Sequence, residues 1–134
     1  MRNKKKLSTA IIVGCLSAMC LSTTALGATK SFTAHLPKKR ADREVSTVAK
    51  EKTTGYFTVN IKSIAEGTDK VCAWTESDVL GVNYSSPYKQ VGIETKNIDY
   101  NLEQPNKGDA VVLNLDNPIS LSYTVKVTGS WTPN

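Results

Sequence analysis

The stretch LSYTVKVTGSWTPN, residues 121–134, decides the fold. From Leu121 to Trp131 apolar and polar residues alternate, with Leu121, Tyr123, Val125, Val127 and Trp131 on one side. Ser122, Thr124, Lys126, Thr128 and Ser130 fall on the other. A period of two sends successive side chains to opposite faces of an extended chain, so the stretch reads as a half-buried β-strand. At about 3.3 Å per residue its eleven residues span about 36 Å, enough to run the length of a small sandwich. Gly129 stands where an apolar residue is due and predicts a bulge at which the strand bends. Lys126, on the outer side, would guard against edge-to-edge pairing if the strand lies at an edge of its sheet.

The same period recurs upstream. SFTAHL (31–36) places Phe32, Ala34 and Leu36 on one face and is ended by Pro37. GYFTVNIKSI (55–64) sets Phe57, Val59 and Ile61 against Tyr56, Thr58, Asn60 and Lys62, and the turn AEGTDK leads into KVCAWTE. There Cys72 and Trp74 share a face opposite Val71 and Ala73, and the two runs read as a hairpin. VLGVNY, YKQVGIET and IDYNL follow as shorter strands, AVVLNL (110–115) as a stronger one, and Asp116-Asn117-Pro118 as a turn. The predicted class is all-β: a mostly antiparallel β-sandwich of about seven or eight strands. Its expected core is Phe57, Val59, Ile61, Trp74, Val111, Leu113, Tyr123, Val125 and Val127, from two inner faces about 10 Å apart.

The N-terminus belongs to a different physical class. Arg2, Lys4, Lys5 and Lys6 precede an apolar run from Leu7 to Leu21, and small residues follow at Ala25, Gly27 and Ala28. This is the pattern of a secretory signal peptide over residues 1–27, cleaved from the mature chain. Two competitors fit less well. A membrane-spanning helix is argued against by Ser22, Thr23 and Thr24, which end the apolar run early. Acylation at Cys15, in Ile12-Val13-Gly14-Cys15, would require the chain to turn polar directly afterwards. Residues 28–134 then form one domain: an N-terminal strand and charged flexible segment (28–54), followed by the β-sandwich core (55–134).

Cleavage changes the electrostatics and the cysteine count. Of 17 Lys and Arg, four leave with residues 1–27, so thirteen face 12 Asp and Glu and the remainder is nearly neutral. Neither a nucleic acid nor, after signal cleavage, a membrane is an expected partner. Cys15 and Cys20 leave as well, so Cys72 stands alone and no intrachain disulfide forms, consistent with export from a Gram-positive cell. Residues 37–54 carry nine charges and no aromatic residue, which reads as a solvated, mobile segment. The loose spacing of Ala41, Val45, Val48 and Ala49 permits one short helix as the alternative.

Chemistry-bearing groups are sparse. Cys72 with His35 is the one thiol–base pair of its type, but a thiol beside Trp74 reads as a core residue. Glu66, Asp69, Glu76 and Asp78 lie in or next to turns with nothing to fix a carboxylate separation for hydrolysis. Asp109 and Asp116 could contribute oxygens to calcium only together with backbone carbonyls, and a plain polar turn is the simpler account. No catalytic residue, cofactor site or metal site is predicted. What remains is binding: Tyr56, Tyr84 and Tyr88 form a loose aromatic surface of the kind that stacks on sugars or anchors protein partners.

Lys52-Thr53-Thr54, the Y-x-T-V-N strand at Tyr56–Asn60, Gly67-Thr68, the Trp74 strand and the closing S-Y-T-V-x-V-x-G-x-W from Ser122 to Trp131 together carry a resemblance. The chain resembles small exported β-sandwich proteins of Gram-positive Firmicutes of unknown function, of the DUF2712-like type, over about residues 50–131. The resemblance implies a secreted sandwich and supplies no catalytic residues. The expected function is non-enzymatic binding at or outside the cell surface, to a wall component or another exported protein. The alternative is a bacteriocin-like toxin or its immunity factor.

Overall fold

The computed structural model describes residues 28–134. The signal-peptide and Cys15 acylation readings fall on residues 1–27 and lie outside the described residues. Eight strands follow in order: β1 (Lys30–Leu36), β2 (Arg43–Ala49), β3 (Tyr56–Ile64), β4 (Val71–Ser77), β5 (Gln90–Val91), β6 (Thr95–Asp99), β7 (Ala110–Asp116) and β8 (Val125–Thr132). They pair antiparallel throughout, in two four-stranded sheets of order β1-β8-β3-β6 and β2-β7-β4-β5. The class is all-β, as the period of two predicts.

Each sheet turns one apolar face inward. Phe32, Ala34, Leu36, Phe57, Val59, Ile61, Ile98, Val125, Val127 and Trp131 from the first sheet meet Val48, Val71, Ala73, Val91, Val111, Leu113 and Leu115 from the second in one buried cluster. Fully burying a side chain of this size is worth about 1.5–3 kcal/mol, so this cluster holds the sheets together. One polar bridge crosses it: Trp131 Nε1 donates to Ser46 Oγ at 2.8 Å, joining β8 to β2. A second polar device closes one end. Buried Lys50 donates through Nζ to the main-chain oxygens of Thr54 (2.6 Å), Pro133 and Asn134, and stands 4.8 Å from the centroid of the Tyr100 ring. The Tyr100 hydroxyl donates to the same Pro133 oxygen.

Five expectations are corrected. The closing strand begins at Val125 rather than Leu121. Its partner β1 ends at Leu36, opposite Val125, and the next residue, Pro37, has no N–H to extend the ladder. Tyr123 is therefore outside the core, 45% exposed, with its phenol resting on the Gly67 turn. The bulge lies not at Gly129 but across from it: β3 carries the extra residue between Ile61 and Ser63, opposite Gly129 and Thr128. Gly129 is needed for close approach, because a Cβ there would stand 2.2 Å from the Asn60 carbonyl oxygen and 3.0 Å from Phe32 Cζ.

The charged segment 37–54 does not form the helix that the spacing of Ala41, Val45, Val48 and Ala49 permits: after a single 3-10 turn at Lys38–Arg40, Arg43–Ala49 is β2. Among the described strands it is an edge, paired with β7, and an edge position tolerates Arg43 and Glu44, both exposed. β3 and β4 do not form a hairpin. Both edges of β3 are taken, by β8 and β6, so the chain crosses at residues 65–70 to the other sheet. Finally, Trp74 and Cys72 are buried but not between the sheets. Val71 and Ala73 occupy the inner face of β4, so alternation turns Cys72 and Trp74 to the outer face of the second sheet.

Candidate functional site

The three tyrosines of the expected binding surface do not come together. Tyr84 is buried in the core, its ring edge-on to Tyr100 at 6.3 Å between centroids, so it is no surface residue. Tyr56 is half-buried at the start of β3, opposite Asp99. Tyr88 is exposed on the segment that leads into β5. Period-two reasoning failed at Tyr84 because residues 82–89 form no regular strand. They run along the edge of β4, held by Tyr84 N–H to the Thr75 carbonyl (2.8 Å) and Ala73 N–H to the Lys89 carbonyl (2.9 Å).

The residues weighed for catalysis are also separated by the fold. His35 lies on the outer side of β1 in the first sheet, and Cys72 on the outer side of β4 in the second, so the full sandwich stands between them. Glu66 and Asp69 sit at the start of β4, and Glu76 and Asp78 at its far end. Asp109 and Asp116 bracket β7 at opposite ends. Among the described residues no group of three or more His, Cys, Asp or Glu could hold a metal ion.

What the fold does assemble is an apolar turn beside a cleft at one end of the sandwich. After β4 the chain makes a tight turn through Asp78-Val79-Leu80-Gly81-Val82. Buried Ser77 organises it three ways. Its carbonyl accepts from Gly81 N–H (2.9 Å), its hydroxyl accepts from Leu80 N–H (3.1 Å), and its own N–H donates to the Val82 carbonyl (2.9 Å). Gly81 adopts φ 64°, a conformation that costs glycine least. Asp78 ties the turn to its neighbours, donating its N–H to the Ala110 carbonyl (3.1 Å) and accepting from the Thr47 hydroxyl (3.2 Å).

The result holds two branched apolar side chains out in solvent: Val79 is 83% exposed and Leu80 73%. Beside them lies a cleft of about 280 Å³ lined by Ser77, Val79, Leu80, Tyr84, Asp109 and Ala110. Its walls are mainly apolar. Asp109 supplies the charged group, with one carboxylate oxygen already accepting from Asn106 N–H at 2.7 Å. Such a site suits an apolar side chain flanked by a hydrogen-bond donor. The sequence carries a signal for it, although the apolar pattern of VLGVNY predicts a strand there. Ser77 followed four residues later by Gly81 is turn chemistry, and it outranks the Val79–Val82 apolar pattern.

No protein-family profile, curated protein or solved structure matches the chain.

Proposed function

We propose that the protein is an exported, non-enzymatic binding domain that engages a wall component or another exported protein through the 78–82 turn and its cleft. The observation that carries this reading is the exposure of Val79 and Leu80 on a turn fixed by three hydrogen bonds. Isolated exposed apolar residues need no explanation, but an adjacent pair on a rigid support, bordering a concave apolar surface, is the anatomy of a contact point. Rigidity matters because little conformational entropy is then lost on binding. Export is supported by the basic, apolar and small-residue sequence pattern of residues 1–27.

The test is retention of the processed domain on cell-wall fractions, compared with a Val79→Asp, Leu80→Asp double variant. The variant is expected to lose retention while its unfolding midpoint stays within the error of the parent, since neither side chain is packed. Equal retention of both proteins would overturn the reading.

A further inference from the structure

The cleft beside the 78–82 turn carries more chemistry than an apolar contact needs. Its lining sets Asp109 and Tyr84 among Val79, Leu80 and Ala110, around a space of about 280 Å³. Asp109 is half-buried, and its Oδ2 accepts from Asn106 N–H at 2.7 Å, which fixes the carboxylate in place. Its Oδ1 has no partner among the described residues. Asp78 brings a second carboxylate to the turn: its N–H is bonded to the Ala110 carbonyl, and its side chain accepts from the Thr47 hydroxyl. Among the described residues neither carboxylate forms an ion pair, and Lys107, two positions from Asp109, is exposed and pairs with neither. The Tyr84 hydroxyl likewise has no hydrogen-bond partner among the described residues.

A carboxylate held in position and left without a cation is complementary to a ligand that brings one. The apolar lining adds a second requirement, because the cation must arrive on an alkyl stem to gain from Val79, Leu80 and Ala110. A polysaccharide offers hydroxyls but neither stem nor cation. Lysine and arginine side chains offer both, and the geometry separates them. A guanidinium pairs best with the two oxygens of a carboxylate at once, whereas Oδ2 of Asp109 is already engaged by Asn106 N–H. An ammonium is a compact charge with three donors, which one carboxylate oxygen and one phenol oxygen can share.

We infer that the cleft is a lysine-binding site, in which the ε-ammonium of a lysine on a partner polypeptide bonds Asp109 Oδ1 while its stem lies against Val79, Leu80 and Ala110. The inference rests on the reading of the 78–82 turn and its cleft as the contact point. It specifies the partner there as a polypeptide rather than a glycan.

The test is an NMR titration of the protein with capped pentapeptides, acetyl-Gly-Gly-X-Gly-Gly-amide, in which X is lysine, Nε-acetyl-lysine, norleucine or arginine. The lysine peptide is expected to shift the methyl signals of Val79 and Leu80 saturably, and to bind about fivefold or more tightly than the other three. Asp109→Asn keeps an oxygen for Asn106 N–H and removes the charge. It should bring the lysine peptide down to the affinity of the norleucine peptide with the thermal transition in place. Absence of any shift, or equal affinity for lysine and norleucine, would overturn the inference. So would arginine binding as tightly as lysine, or an Asp109→Asn variant that binds the lysine peptide as the parent does. Loss of wall retention in the Val79→Asp, Leu80→Asp variant, together with no preference for lysine, would overturn this inference and leave the contact point standing.

Discussion

Three residues show how single side chains decide this molecule. Gly129 lies between Asn60 and Phe32 with no room for a Cβ, so Gly129→Ala should cost about 1–3 kcal/mol through displaced backbone, measured by urea denaturation. Lys50 spends its ammonium on main-chain oxygens and the Tyr100 face, and burial lowers its pKa. Tyr100 is shifted the other way: burial, reinforced by Tyr84, holds its phenol above the ordinary value of about 10. In the unfolded chain the phenol therefore loses its proton at lower pH than in the fold. Its contribution to stability is full below about pH 10 and declines as pH rises further, toward its folded pKa. Lys50 has the opposite sign, its unfolded form binding more protons until pH passes about 10.4. Denaturation curves from pH 8 to pH 12 should show a fall above about pH 10 in the parent that is smaller in Tyr100→Phe. At neutral pH the same variant loses about 1 kcal/mol with the bond to Pro133. The role of Lys50 is not legible in the sequence, because it sits in a run of charges and only the fold brings Pro133, Asn134 and Tyr100 around it.

At the scale of elements, alternation was a reliable guide wherever a strand has water on one side and the core on the other. β3 and β8 are such strands, and Phe57, Val59, Ile61, Val125 and Val127 face inward as their spacing predicts. Val125→Asp should therefore prevent accumulation of folded protein, whereas Lys126→Asp, one position along and exposed, should leave the unfolding midpoint nearly unchanged. Alternation misled where other forces set the geometry. Leu121–Thr124 continue the pattern of β8 but have no partner strand, since β1 stops before Pro37. In β4 the pattern correctly separated Cys72 and Trp74 from Val71 and Ala73, yet it could not say which pair faces the other sheet. Both faces of β4 are buried, so size and hydrophobicity no longer label the inner one. β2 was hidden for the converse reason: an edge strand with charged ends and only Val48 fully buried resembles a loop.

At the scale of the whole molecule, stability rests on the contact between two sheets, and the candidate binding features lie outside that contact. Leu113→Ala, at the centre of the second sheet, should cost about 2–5 kcal/mol and lower the unfolding midpoint accordingly. Val79 and Leu80 are mostly exposed and stand outside the buried cluster, which is why charge can be placed there to test binding without testing folding. The chain's local pattern by itself determined the all-β class, the antiparallel strands and most of the inner faces, because side-chain period and burial are local consequences of extended backbone. Only the tertiary structure decided which strands share a sheet, that Tyr84 and Lys50 are inside, that the 78–82 turn stands in solvent, and that Trp74 faces outward. These depend on contacts between residues far apart along the chain, and no local period encodes which distant partner satisfies a strand edge or covers its second face.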